Sequence, residues 1–140
     1  MNKVRDHIAI VDDEESVCKA LQRLLRSAGI DAVAFPSGEE FLEWIRTHST
    51  DCVVLDLHMP HVTGFDVLTR MALSGVDVPV IIITGHDSPE AYDRAMAAGA
   101  TTYLRKPVND EALLNAVQVA IDGATRTRRI SDTDEKEEKA

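Results

Sequence analysis

Cys52-Val53-Val54-Leu55-Asp56-Leu57-His58-Met59-Pro60 is the stretch on which the fold of this chain turns. Its first four residues are apolar without alternation. That is the pattern of a strand buried on both faces, as in a parallel sheet covered by helices. Asp56 sits at the mouth of that strand. A carboxylate in such a place is either a structural accident or a reaction centre, and three other strand ends decide between the two. Asp12-Asp13 closes the apolar run Ile8-Ala9-Ile10-Val11, and Thr84 closes Val80-Ile81-Ile82-Ile83. Lys106-Pro107 follows the shorter run Thr102-Tyr103-Leu104. An acid pair, an acid, a hydroxyl and a lysine at four strand ends make one candidate site, suited to a divalent cation and a phosphoryl group.

Between these runs the period changes from strand to helix. Val17, Ala20, Leu21, Leu24, Leu25 and Ala28 recur at helical spacing, with Gly29 placed to end the helix. Ala32 to Phe35 reads as a short strand. Ser37 with Glu40 predicts a capping box opening a helix that buries Phe41, Leu42 and Ile45. Phe65, Val67, Leu68, Met71 and Ala72 mark a third helix, with Gly64 assigned to a tight turn after Pro60. Ser88-Pro89 is an N-cap followed by an N1 proline, opening a helix that runs to Ala98. Asn109 or Asp110 caps a last helix through Leu113, Leu114, Val117, Ala120 and Ile121. Five strand-helix units predict an α/β, doubly wound parallel sheet in a single domain. In such sheets ligands bind beyond the carboxyl ends of the strands, which is where the periodicity puts Asp12, Asp13, Asp56, Thr84 and Lys106.

The chain has 140 residues, 44% of them hydrophobic, which suits one globular domain. Its net charge of -9 argues against a nucleic-acid surface, which needs clustered Lys and Arg. No apolar run approaches the roughly 20 residues of a membrane span, and the start is unlike a signal peptide, so a cytoplasmic protein is expected. Cys18 and Cys52 lie far apart in apolar patterns and read as buried free thiols. After residue 123 the periodicity stops. Residues 124–140 hold five positive and five negative charges, so the body carries the whole net charge. The expected division is a domain over 1–123 and a charged C-terminal tail or linker over 124–140.

The chemistry follows from the residue types. Mg²⁺, or Mn²⁺, takes oxygen ligands and keeps several waters, so a carboxylate cluster suits it. Clustered acids repel one another, and a divalent ion keeps them ionised. Ionised Asp56 can then act as a nucleophile on phosphorus. Phosphoryl transfer needs positioning and charge stabilisation at the equatorial oxygens. Lys106 and Thr84 supply a cation and a hydroxyl for that purpose. The Lys106-Pro107 bond is a candidate cis peptide, since X-Pro bonds adopt cis at modest cost.

Together, Val11-Asp12-Asp13-Glu14, Asp56-Leu57-His58-Met59-Pro60 through Gly64, Thr84-Gly85 and Tyr103-Leu104-Arg105-Lys106-Pro107 closely resemble the receiver domain of two-component response regulators. The resemblance covers about residues 5 to 122 and is closest to receivers of the nitrogen-fixation-regulator type. It implies a flavodoxin-like five-stranded sheet of order 2-1-3-4-5 with five helices. It implies that Asp56 accepts phosphate from a sensor histidine kinase. It also implies that Asp13, Asp56 and the His58 backbone carbonyl hold Mg²⁺ directly, with Asp12 acting directly or through water. Thr84 and Tyr103 become a switch pair reshaping the surface of the fourth helix, fifth strand and fifth helix, through which a homodimer can form. His58 and His86, each two residues past a site residue, are expected to tune the lifetime of the phosphoaspartate. No turnover enzyme is expected beyond self-catalysed phosphotransfer and autodephosphorylation. The competing functions are a phosphate-independent receiver that only binds proteins, and a Mg-dependent aspartyl-phosphate phosphohydrolase. The second normally carries an acid two residues after its nucleophile, where this chain has His58.

Overall fold

A computed structural model describes residues 7–123. The expected tail over 124–140 lies outside the described residues, as do residues 1–6. The elements run β1 (His7–Val11), α1 (Glu15–Ser27), β2 (Asp31–Phe35), α2 (Gly38–Ile45) and β3 (Cys52–Asp56). They continue with α3 (Gly64–Leu73), β4 (Val80–Thr84), α4 (Pro89–Ala97) and β5 (Thr102–Arg105). A helix over residues 110–123, here α5, closes the described chain. The strands are all parallel, in the order β2-β1-β3-β4-β5.

Strand alternation divides the core into two layers. Ala9, Val11, Val53, Leu55, Val80 and Ile82 point to one face, where Phe41, Val67, Leu68, Met71 and Ala95 from α2, α3 and α4 cover them. Ile8, Ile10, Val54, Ile81 and Ile83 point to the other, against Cys18, Leu21 and Leu25 of α1 and Leu113 and Val117 of α5. Every residue of β3 and of β4 is buried. This explains the unbroken apolar runs: a strand with helices on both sides has no solvent face to mark with polar residues. Burial at roughly 25 cal/mol per Å² of apolar surface makes these two strands the best-anchored part of the sheet. Cys18 on α1 and Cys52 on β3 are free and buried.

The helix boundaries follow their caps, with two departures from expectation. Ser37 accepts from the Glu40 N–H, but the Glu40 carboxylate lies 3.4 Å from the Ser37 hydroxyl, so the predicted capping box is only half made. The full box is at α3. There Thr63 N–H donates to Asp66 Oδ2 (2.9 Å) and Asp66 N–H donates to Thr63 Oγ1 (3.2 Å). Ser88 caps α4 by accepting from Ala91 N–H, with Pro89 at the first helical position. Asn109, not Asp110, caps α5 by accepting from Ala112 N–H.

Gly64 is not the turn residue it was expected to be; the left-handed residue of that loop is His61, at φ 68°. Gly64 opens α3 with its Cα pressed against the end of β3. A β-carbon there would lie 2.4 Å from the Asp56 carbonyl oxygen and 2.7 Å from Leu57 Cα. Both obstacles are backbone and cannot rotate away. Gly64→Ala is therefore expected to cost about 3 kcal/mol or more. Gly85→Ala, whose nearest neighbour is 3.9 Å away, is expected to be nearly neutral by comparison. Urea unfolding midpoints of the two variants check this contrast.

Candidate functional site

Strand register brings the candidate residues together. Val11 pairs with Leu55, so Asp12, one residue on, stands beside Asp56. Asp56 pairs with Ile83, which puts Thr84 at the next strand end. Thr84 pairs with Arg105, and Lys106 follows, its N–H donating to the Thr84 carbonyl at 2.8 Å. The Lys106-Pro107 peptide is cis.

Asp12, Asp13 and Asp56 each offer a carboxylate oxygen, and the three lie within 4.8 Å of one another. Asp12 and Asp56 are buried, whereas Asp13 is exposed. The Lys106 ammonium reaches across the site to Asp12 Oδ2 at 2.9 Å, Glu14 Oε1 at 3.1 Å and Asp56 Oδ1 at 3.6 Å. The Asp12 contact is a charge contact outside hydrogen-bond geometry: Oδ2 is a buried oxygen with no hydrogen-bond donor. Asp12 Oδ1 accepts from Glu14 N–H at 2.8 Å, and Asp56 Oδ1 accepts from His58 N–H at 3.4 Å.

Burial and crowding leave their mark on the charges. Desolvation, then the neighbouring Asp12, push the Asp56 carboxyl up to about 6 against the opposing pull of Lys106. Burial raises Asp12 as well, with Lys106 and the Glu14 N–H resisting. For Lys106 burial works against the charge, but the surrounding carboxylates outweigh it and the ammonium is held more firmly protonated than usual. A cluster of hard oxygen donors, one of them buried without a hydrogen bond, with one lysine among four acids, fits a small divalent cation such as Mg²⁺ or Mn²⁺. The His58 carbonyl joins that set through the family resemblance alone.

Thr84 is fully buried. Its Oγ1 accepts from His86 N–H at 3.0 Å and lies 3.2 Å from His58 Nδ1. The His58 and His86 rings meet at 4.6 Å between centroids, tilted by 47°. Desolvation, then His86 and Lys106, lower the His58 imidazole below its usual range. Tyr103 is turned away from the acids. Its hydroxyl donates to Asp87 Oδ1 at 2.8 Å and its ring packs edge-on against Tyr92. Asp87 also pairs with Arg105.

Residues 8–118 match the family described as the response regulator receiver domain. The chain belongs to that family. Nodulation protein W of Bradyrhizobium diazoefficiens is 36% identical over 126 residues, a match spanning 90% of this chain and 56% of that protein. The transcriptional regulatory protein FixJ of the same organism is 34% identical over 117 residues, spanning 84% of this chain and 57% of that protein. A response regulator receiver protein from Burkholderia phymatum superposes with a TM-score of 0.76 at 43% identity, covering 84% of this chain and 96% of its own. The likeness to FixJ agrees with the nitrogen-fixation-regulator type, and the sheet order is the flavodoxin-like 2-1-3-4-5. The chain spans about half the length of the curated relatives it matches. No described helix is long and apolar enough to cross a membrane.

Two residues of this receiver were given no role from sequence. Glu14 shares the ammonium of Lys106, and Asp87 receives the Tyr103 hydroxyl. Each follows a strand-end site residue by two or three positions, the spacing that also drew attention to His58 and His86. Glu14 and Asp87 are otherwise ordinary loop acids.

The raised Asp56 carboxyl fixes a pH dependence. Below about pH 4 Asp56 is protonated in folded and unfolded chains alike. Between about pH 4 and 6 the unfolded chain loses the proton first, so the metal-free protein loses stability as pH rises, by about 3 kcal/mol for a shift of about two pK units. Above pH 6 the penalty is constant. Asp56→Asn is expected to reduce this slope, leaving the part that the raised Asp12 carboxyl contributes, and to stabilise the metal-free protein at pH 7.5 by about 1–3 kcal/mol. Urea denaturation in a chelator from pH 4 to 8 measures both.

Proposed function

We propose that this receiver takes a phosphoryl group from the phosphohistidine of a sensor histidine kinase onto Asp56, with Mg²⁺ held by Asp12, Asp13 and Asp56. The observation that carries the proposal is the convergence of those three carboxylates within 4.8 Å of one another at the rim of the sheet, with the Lys106 ammonium set against Asp12 and Asp56. When bound, the metal neutralises the acid cluster and one phosphoryl oxygen. Lys106 keeps its positive charge in any physiological solution and stands 3.6 Å from Asp56 Oδ1, where it can stabilise the charge that develops on transfer. Both the Lys106 and His58 N–H contacts of Asp56 fall on Oδ1, so Oδ2 is the oxygen free to attack phosphorus. The new P–O bond forms as the P–N bond to the kinase imidazole breaks, and that imidazole leaves with its electron pair and takes up a proton.

The chain's own chemistry ends there, apart from slow hydrolysis of the acyl phosphate, so it is a switch and not a turnover enzyme. Phosphorylation draws the Thr84 hydroxyl toward the new oxygens and leaves room for Tyr103 to turn in. Turning in breaks the Tyr103–Asp87 bond and alters the surface of α4, β5 and α5, where Tyr92 and Arg105 are exposed. A second copy of the chain or a downstream protein reads that surface.

Incubation with acetyl phosphate and Mg²⁺ is expected to add one phosphoryl group by intact mass, and Asp56→Ala is expected to add none. Absence of the gain with both acetyl phosphate and a competent kinase sinks the proposal in favour of phosphate-independent binding. Steady release of phosphate from a monoester would favour the hydrolase.

His58 and His86 stand over the Thr84 side of the site, where they control the approach of water. His58→Ala and His86→Ala are expected to change the autodephosphorylation rate by about 3- to 10-fold, a change of about 1 kcal/mol in the barrier. Loss of phosphate from the purified phosphoprotein over time measures it. Rates equal to the parent in both variants would remove the histidines from lifetime control.

A further inference from the structure

The Thr84 hydroxyl has one proton to donate and two lone pairs. One lone pair is taken by the His86 N–H at 3.0 Å. Among the described residues the other hydrogen-bond partner of Oγ1 is His58 Nδ1, at 3.2 Å. Thr84 is completely buried, so a hydroxyl proton without an acceptor would bear its full desolvation cost. The proton therefore goes to His58 Nδ1, which makes His58 the acceptor at that nitrogen and puts its own ring proton on Nε2. The His86 ring packs against the His58 ring, and the His58 backbone N–H is tied to Asp56 Oδ1, so the imidazole is held in place from two sides.

We propose that His58 is a positioning residue that holds the hydroxyl of Thr84 in its resting orientation, and that it competes with the phosphoryl oxygen for that hydroxyl's one proton. This rests on Thr84 answering to phosphate at Asp56, as set out above. No covalent bond changes: one hydrogen bond, Thr84 O–H to His58 Nδ1, is exchanged for one to a phosphoryl oxygen. His58 thereby opposes the switched state through Thr84, a role separate from screening water.

Two measurements on the intact chain decide it. In the first, ¹⁵N NMR of the histidine rings without phosphate or metal is expected to show His58 as the Nε2–H tautomer in the parent and to lose that preference in Thr84→Val. An Nδ1–H tautomer in the parent overturns the proposal. In the second, beryllofluoride with Mg²⁺, a phosphoryl mimic, is titrated against the parent and His58→Phe, which keeps a ring against His86 but has no acceptor. His58→Phe is expected to bind about fivefold tighter, the value of one ordinary hydrogen bond. The gain is expected to vanish when both variants carry Thr84→Val, and His58→Gln, which restores an acceptor oxygen, is expected to return part of the way to the parent. Equal affinities of parent and His58→Phe overturn the proposal. If no variant binds beryllofluoride, the phosphoacceptor function fails instead, and the tautomer measurement still decides what holds Thr84.

Discussion

Three carboxylates brought within 4.8 Å of one another, two of them buried, are the constraint to which the rest of the molecule answers. Left alone such a cluster would protonate or push the loops apart. The upward push on Asp56, to about 6, shows that the protein compensates only in part. The compensation is local: one ammonium, the His58 N–H and the Glu14 N–H. What holds the acids against their repulsion is the frame below them. Asp56 ends a strand with no exposed residue, and Asp12 follows another whose last four residues are buried. The carboxylates cannot separate without unzipping apolar layers on both faces of the sheet.

From that cluster the connections run in one direction. Lys106 belongs to the segment after β5, yet its N–H is bonded to the end of β4 and its ammonium to the loop after β1. Thr84 is the junction: its carbonyl receives Lys106, and its hydroxyl meets both histidine segments. Beyond it, Tyr103 and Asp87 lie on the outside, next to α4. That helix buries only Ala95 among its residues, so it is lightly anchored compared with α1 and α3. A change of charge at Asp56 therefore meets a rigid sheet on one side and a weakly held helix on the other, and displacement is cheapest in α4.

How far the sequence discloses this depends on the range of each interaction. The strands with buried acids or hydroxyls at their ends were legible because burial on both faces removes alternation and makes Asp56 and Thr84 conspicuous. Cys52 was legible as a core residue for the same reason, and Cys18 because it falls among the apolar positions of α1. The caps were less so. Ser37-Gly38-Glu39-Glu40 has the spacing of a capping box and makes half of one, while Thr63-Gly64-Phe65-Asp66 makes both bonds with the shorter Asp side chain. Gly64 suggested a turn because glycine marks turns; its actual reason, the backbone of Asp56 and Leu57 lying against it, exists only once α3 is docked on β3. Glu14 and Asp87 acquire partners 92 and 16 residues away, and nothing local announces those distances. The place of the site is written in periodicity, and the second ring of contacts is written only in three dimensions.

The charge balance of the site is negative. Lys106 is one positive charge facing Asp12, Asp56 and Glu14, with Asp13 beside them. Arg105 is turned away to Asp87 and contributes nothing there. A second lysine would reduce the imbalance, but its stem would fill the space that the proposed phosphoryl group would need. A divalent cation supplies more charge in less volume, with coordination positions left over for phosphate oxygens. Bound there, it would lower the carboxyl of Asp56 from about 6 and so enlarge the ionised fraction that the proposed attack requires. On the proposed reading, the desolvation that makes the cluster a burden on folding would also make its reactivity conditional on an ion, and would tie the affinity of the site for metal to the strength of its own internal repulsion.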